Sequence, residues 1–221
     1  MLLPETIGSA LVLPALEPAA VIASAIAGMM VASGKRMDLV GAYALACVNA
    51  FGGGTVRDLL LDNRPFYWAA HWGYLVAILA LCVPFVYSAK FLRVAEAVHK
   101  RADKVDAVGL ALFTIAGTGI ALEKDAPLIV AMLMGVVTGT AGGVMRDVVV
   151  NAVPDLFRPG ALYATAAFAG SAAFIVCIDQ GLPYPRAVLV GCVIVFGLRV
   201  LSLRTGLSMP APQWIEDGDK T

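Results

Sequence analysis

Uncharged apolar runs recur along the chain with short polar breaks between them, and their lengths suit a bilayer better than a globular core. Seven runs approach the roughly 20 residues that an α-helix needs to cross a membrane. They lie at about 17–34, closed by Lys35-Arg36, and at about 39–61, 71–89, 106–122, 127–150, 160–179 and 186–203. A charged connector at about 90–105 carries Lys90, Arg93, Lys100, Arg101 and Lys104. The tail over 206–221 is polar, holds Pro210 and Pro212, and is expected to be a disordered cytoplasmic segment. Residues 1–205 are expected to form a single transmembrane domain, an all-α polytopic membrane protein.

Composition sharpens that picture. Charged residues make up 14% of the 221, against about 25% in a typical soluble domain, and mean hydropathy is +0.83. The formal net charge is zero, which argues against a nucleic-acid partner. Basic residues set the orientation. With the N-terminus outside, Lys35, Arg36, the five connector residues, Arg158, Arg204 and Lys220 face the cytoplasm, ten in all. Only Arg64, Lys124 and Arg186, three in all, then face outward. N-out, C-in is the expected topology. No Lys or Arg precedes the first apolar run, and Glu5, Pro14, Glu17 and Pro18 interrupt it, so a cleaved signal peptide is not expected. Cys47, Cys82, Cys177 and Cys192 fall inside apolar runs and read as small buried hydrophobes. Neither they nor His71 and His99 have metal-ligand spacing, and no metal or cofactor is implied.

The chain contains one stretch twice. Gly52-Gly53-Gly54-Thr55-Val56-Arg57-Asp58 returns as Ala141-Gly142-Gly143-Val144-Met145-Arg146-Asp147, an offset of 146 − 57 = 89. The same offset matches Ala27-Gly28 to Ala116-Gly117, Lys35 to Lys124, Pro65 to Pro154, Tyr74 to Tyr163 and acidic Glu17 to Asp106. Repeat one covers about 17–89 and repeat two about 106–179. Each holds three runs, an odd number, so the second copy enters the membrane from the opposite side. A 3+3 inverted repeat follows, with the run at 186–203 as an accessory helix. Such folds place their pathway near the midplane on interrupted helices, here the second and fifth, kinked at Gly52, Gly53, Gly54, Gly142 and Gly143.

Ionised side chains beside hydrocarbon mark a pathway or a specific pairing. Arg57, Asp58, Arg146 and Asp147 either line and gate a polar path or clamp the helices together. Neighbours on a helix point about 100° apart, so the expected pairs are crossed, Arg57 with Asp147 and Arg146 with Asp58. Asn49 and Thr138 are repeat-equivalent and sit one turn before the glycines; Thr55, Thr114 and Thr118 add hydroxyls. Such oxygens suit a dehydrating monovalent cation, although each Thr hydroxyl can instead bond back to its own helix. Gly135, Gly139 and Gly143, echoed by Ala46, Ala50 and Gly54, read as a close-packing face. There is no GxxxxGK[ST], GxSxG or HExxH, so an enzyme is not expected.

The duplicated glycine–Arg-Asp motif, the seven runs and the inverted repeat resemble the prokaryotic trimeric intracellular cation (TRIC) channels. Some such sequences are described as a glycine transporter domain or an uncharacterised membrane family. The resemblance spans about 15–205 and rests on Gly52–Asp58 with Leu59-Leu60-Leu61, Pro65 and Trp68, and on Gly142–Asp147 with Pro154 and Leu162-Tyr163-Ala164-Thr165-Ala166. It implies a homotrimer in lipid, with one potassium-permeable, monovalent-cation path inside each protomer, in a prokaryotic inner membrane. By position it implies that Arg57, Asp58, Arg146 and Asp147 are the motif charges at the kinks. Two departures stand out. Ala141 replaces a glycine in the second motif, and Gly117-Thr118-Gly119-Ile120-Ala121 in the fourth run carries no basic residue on which voltage sensing could rest. A secondary transporter of a small solute such as glycine, or a purely structural protein, is compatible with the same fold.

Overall fold

Apolar runs without prolines at their centres become helices because in hydrocarbon only intrahelical bonds satisfy the backbone. The computed structural model describes residues 7–87, 102–158 and 162–207, with side chains from residue 15. Its helices are α1 (Ile7–Gly34), α2 (Leu39–Leu60), α3 (Tyr67–Ala70), α4 (Gly73–Tyr87), α5 (Ala102–Glu123), α6 (Leu128–Val149), α7 (Ala164–Asp179) and α8 (Tyr184–Thr205), with one 3-10 turn at Asp155–Phe157. Among the described residues, α1, α2, α5, α6 and α8 are long and apolar enough to cross a membrane. With 15 and 16 residues, α4 and α7 are shorter.

Several expected boundaries move. Helix α1 starts at Ile7, ten positions before the expected start, and runs through Pro18. A proline inside a membrane helix is tolerated where neighbouring helices cover the freed carbonyl. The last four residues of the expected connector, 102–105, form the first turn of α5. The rest of the connector and the tail beyond Leu207 lie outside the described residues.

The 89-residue offset extends to backbone detail. Among the described residues, the non-glycine positions with positive φ are Arg36 (54°), Asp62 (47°), Asp125 (56°) and Asn151 (53°), two repeat-related pairs. The C-caps of α2 and α6, Leu61 and Val150, are equivalent, and their N–H groups bond to the equivalent carbonyls of Arg57 and Arg146. The same turn closes each helix: Asn63 N–H donates to the Asp58 carbonyl and Ala152 N–H to that of Asp147, both at 2.8 Å.

The two copies meet at α2 and α6, and the contact is reciprocal. A Cβ placed on Gly53 would collide with the Thr138 carbonyl, and one on Gly142 with the Asn49 carbonyl. Gly53 and Gly142 are twins, as are Asn49 and Thr138, so a pseudo-two-fold axis exchanges the two contacts. As the α2 position falls from 53 to 49, the α6 position rises from 138 to 142, so the helices run antiparallel. Both are continuous α-helices through their glycine clusters. This corrects the expectation of interrupted helices: the glycines let the backbones touch, and the intrahelical bonds persist. Elsewhere α1, α2 and α4 enclose Val21, Met29, Phe51 and Ile78, while α5, α7 and α8 enclose Ile115, Phe174, Tyr184 and Val188. Large apolar side chains such as Val40, Val76, Val83 and Leu189 point outward, as the lipid-facing surface of a bilayer protein requires.

Gly53→Ala and Gly142→Ala should each lower the melting midpoint of the detergent-solubilised protein, since overpacking costs about 1–3 kcal/mol even where neighbours can shift. Gly54→Ala should be neutral or stabilising: its new methyl would have only the Arg57 guanidinium at 3.9 Å nearby, and alanine favours helix over glycine by roughly 1 kcal/mol. Equal effects at all three positions would refute the crossing role of Gly53 and Gly142.

Candidate functional site

Each motif arginine lies in the last turn of its helix, where it can fold back on the next residue and still reach a neighbouring helix. Arg57 Nε donates to Asp58 Oδ1 at 2.9 Å, and Nη2 lies 2.8 Å from the same oxygen. Its Nη1 donates to Glu17 Oε1 of α1 at 2.8 Å. Arg146 repeats the pattern, with Nε donating to Asp147 Oδ1 at 2.9 Å and Nη1 to Asp106 Oδ1 of α5 at 2.6 Å. Glu17 and Asp106 are repeat twins, so two copies of one carboxylate–guanidinium–carboxylate cluster stand in the protomer. Arg57 and Asp58 are each 1% exposed; such pairs persist only when nearly every donor and acceptor is satisfied.

These partners overturn the crossed pairs expected from sequence. In the antiparallel register Arg57 stands beside position 134 and Arg146 beside position 45. The clusters are therefore about 12 residues, or roughly 18 Å, apart along the helix axes. Neither aspartate can reach the other repeat's arginine, whereas a long arginine stem easily bends back over its own last turn.

Further groups hold the carboxylates. Asn63 Nδ2 donates to Asp58 Oδ1 at 3.2 Å and Tyr67 N–H to Asp58 Oδ2 at 3.4 Å. In the second cluster Asp155 N–H donates to Asp147 Oδ2 at 3.4 Å and the Tyr163 hydroxyl to Asp106 Oδ2 at 3.1 Å. Asp155 is also ion-paired to Arg199 of α8, whose guanidinium lies 4.7 Å from the Tyr163 ring centroid. Asp106 carried a sequence signal only as the repeat match of Glu17, and Tyr163 as a repeat match within the run that carries the resemblance. Arg199 had a clearer one: it falls on the stripe Val188, Gly191, Val195, Arg199, Ser202, all buried in α8.

A cavity of about 340 Å³ opens beside the first cluster, with Glu17 and Arg57 on its wall together with Arg64, Tyr67, His71 and Lys124. A second void of only about 10 Å³ adjoins it past Glu17 and Tyr67, lined by Ala50, Phe51, Gly54 and Thr55 among others. The remaining sequence candidates sit in the helix contacts. Asn49 Nδ2 donates to the Ser24 carbonyl at 2.7 Å. Thr138 and Thr55 bond back to Met134 and Phe51 of their own helices. The Thr118 hydroxyl is within hydrogen-bond distance of the Thr114 carbonyl and Ser171 Oγ, at 2.8 and 2.9 Å. Thr114 is fully buried and its hydroxyl has no partner among the described residues. Gly135 and Gly139 receive the Thr118 and Thr114 hydroxyls, and Gly143 receives that of Tyr163. The glycine series is thus an intramolecular packing face.

Known proteins with this pattern are membrane proteins and channels. The family model described as "Glycine transporter" matches residues 15–90 and again 104–179, two segments related by the same 89-residue offset. The UPF0126 inner membrane protein YadS of Escherichia coli (strain K12) is 33% identical over 196 residues, 88% of this chain and 93% of that protein. A UPF0126 membrane protein of Deinococcus radiodurans is 32% identical over 192 residues, 86% of this chain and 87% of its own. The crystal structure of the TRIC trimeric intracellular cation channel orthologue from Rhodobacter sphaeroides superposes with a TM-score of 0.81 at 34% identity, covering 89% of this chain and 99% of that one. A second TRIC cation channel, solved to explain conductance, gives 0.78 at 29% identity, covering 90% and 97%.

A double-mutant cycle on Glu17→Gln and Arg57→Gln should give a coupling energy of about 0.5–3 kcal/mol in thermal unfolding, as groups in direct contact do. The pair Arg57→Asp with Asp147→Arg should show no recovery over the single variants. Recovery in the second pair would restore the crossed arrangement.

Proposed function

The chain belongs to the family described as "Glycine transporter", an all-helical polytopic membrane family with the TRIC channel fold, and on that premise we propose a potassium-permeable channel for monovalent cations. It works as a homotrimer in the prokaryotic inner membrane, with one path inside each protomer. The observation that carries this reading is the charge balance of the two clusters. Each sets two carboxylates against one guanidinium near one end of the antiparallel α2–α6 pair, so the three groups together carry one excess negative charge, with Arg64 and Lys124 flanking the first cluster and the Asp155–Arg199 pair flanking the second. In a low-dielectric wall that excess attracts cations and repels anions.

The path enters at the roughly 340 Å³ vestibule, passes Glu17 and Arg57 into the small void beside Gly54 and Thr55, crosses the α2–α6 contact near Asn49 and Thr138, and leaves by Arg146 and Asp147. Reciprocal backbone contacts at Gly53 and Gly142 close the middle of this route; a bend at Gly52–Gly54 and Gly142–Gly143 would widen it. Helices α4 and α7 complete seven crossings, and the basic residues favour the N-terminus outside. Thr114 and Thr118 support the path from behind, in the α5–α6 contact.

One observation favours a second reading, transport of a small zwitterion such as glycine. The vestibule wall carries Glu17 and Glu123 together with Arg64 and Lys124, charges of both signs that an amine and a carboxylate need.

Liposomes holding the purified protein should release potassium down an imposed gradient without glycine, with unitary current steps in planar bilayers. Saturable glycine uptake without steps would favour the second reading instead. Asp58→Asn and Asp147→Asn should change conductance or open probability more than Asp179→Asn, which lies at the exposed end of α7. Equal behaviour of three well-folded variants would remove the clusters from the path.

A further inference from the structure

The two clusters share a geometry but differ in what lies against them. The segment that lines the vestibule includes Asn63, Pro65 and Tyr67. Its counterpart in the second repeat runs through Pro154 and Asp155, and there Arg199 is seated. Tyr74 stacks on Tyr67, with ring centroids 5.8 Å apart; its twin Tyr163 instead carries the Arg199 guanidinium on its face. Arg199 comes from α8, the helix with no counterpart in the repeat, and is 2% exposed.

Arg199 is held differently from the other two buried arginines. Arg57 and Arg146 each grip two carboxylates. Arg199 contacts one carboxylate, that of Asp155, through Nη2, and its Nε–H has no partner among the described residues. A buried N–H without an acceptor is destabilising, and a single-carboxylate hold lacks the fork geometry that makes arginine pairs durable. Asp155 is 21% exposed and also lies 3.3 Å from the rim residue Arg158. A carboxylate beside an aromatic face attracts any compact cation. In this fold a guanidinium fills that position.

We propose that Asp155 and the face of Tyr163 form a monovalent-cation site at the second cluster, occupied by the chain's own Arg199 guanidinium, which a free cation replaces when Arg199 withdraws. This deepens the channel reading and rests on it: Arg199 becomes a tethered occupant of one mouth of the path, absent from the other. It is a positioning and selectivity residue, linked to Arg146 through Asp155 and Asp147 on one arm and through Tyr163 and Asp106 on the other.

Chemical rescue tests the site without requiring current. Arg199→Ala should lower the melting midpoint of the purified full-length protein. Millimolar guanidinium chloride should restore much of the loss, where the same concentration of tetramethylammonium chloride does not. Rescue should vanish in Asp155→Asn/Arg199→Ala. In planar bilayers, guanidinium should block Arg199→Ala from the side of the Arg146 cluster at a roughly tenfold lower concentration than it blocks the wild type, the discrimination one charge-assisted contact supplies. Arg199→Gln keeps part of the stem and carries the same test if the alanine variant does not assemble. Equal melting in both salts, or equal block of variant and wild type, would overturn the proposal. Failure of both variants to assemble even with guanidinium present would also overturn it, leaving Arg199 purely structural. A silent wild type would refute the channel reading alone, because the melting experiment still reports on the site.

Discussion

A guanidinium inside a bilayer must bring its counter-charges with it. Removing one partner from a buried ion pair costs about 3–5 kcal/mol, because the survivor is left charged and unsolvated. That constraint organises each repeat. Arg57 ties the end of α2 to α1 through Glu17, and Arg146 ties the end of α6 to α5 through Asp106. Once these ends are pinned, the glycines can bring α2 and α6 into backbone contact. The polar clusters and the tight crossing are therefore parts of one arrangement: charge fixes where the helices end, and the lack of side chains fixes how closely they pass.

Much of this was legible in the chain. The apolar runs located the long helices because bilayer thickness imposes a length, and the duplicated motif located both clusters. The 89-residue offset reached further than the motif, to loop residues such as Asp62 and Asn151 that share an unusual backbone conformation. What failed was pairing. The crossed Arg–Asp arrangement followed from helical geometry at adjacent positions, which ignores the reach of an arginine in a terminal turn. It also needed the register of α2 against α6, which only the Gly53–Thr138 and Gly142–Asn49 contacts reveal. Helix α1 begins ten residues before the expected start, at Ile7, because a membrane helix can absorb prolines such as Pro14 and Pro18. The threonines illustrate a different limit: a hydroxyl in an apolar run looks the same whether it faces a path or bonds to its own helix, as Thr55 and Thr138 do.

Symmetry explains the shared features of the two clusters, and α8 explains their difference. Helix α8 lies outside the repeat, so its ion pair with Asp155 has no repeat-related copy. By placing Arg199 against Asp155 and Tyr163, it gives a nearly two-fold object distinct ends. Directionality in such a protein need not arise within the duplicated halves at all.

The reciprocal crossing also bears on how the halves diverged after duplication. A side chain admitted at Gly53 presses on Thr138, whose twin, Asn49, presses in turn on Gly142. A side chain gained at either glycine is felt by the other copy, so neither copy can relax alone there. Positions beyond the contact escaped that mutual restraint: the first cluster uses Glu17 where the second uses Asp106. The crossing thus couples two lineages held in one polypeptide: its glycines are the same in both copies, whereas Asn49 and Thr138, which offer only their carbonyls to it, were free to differ.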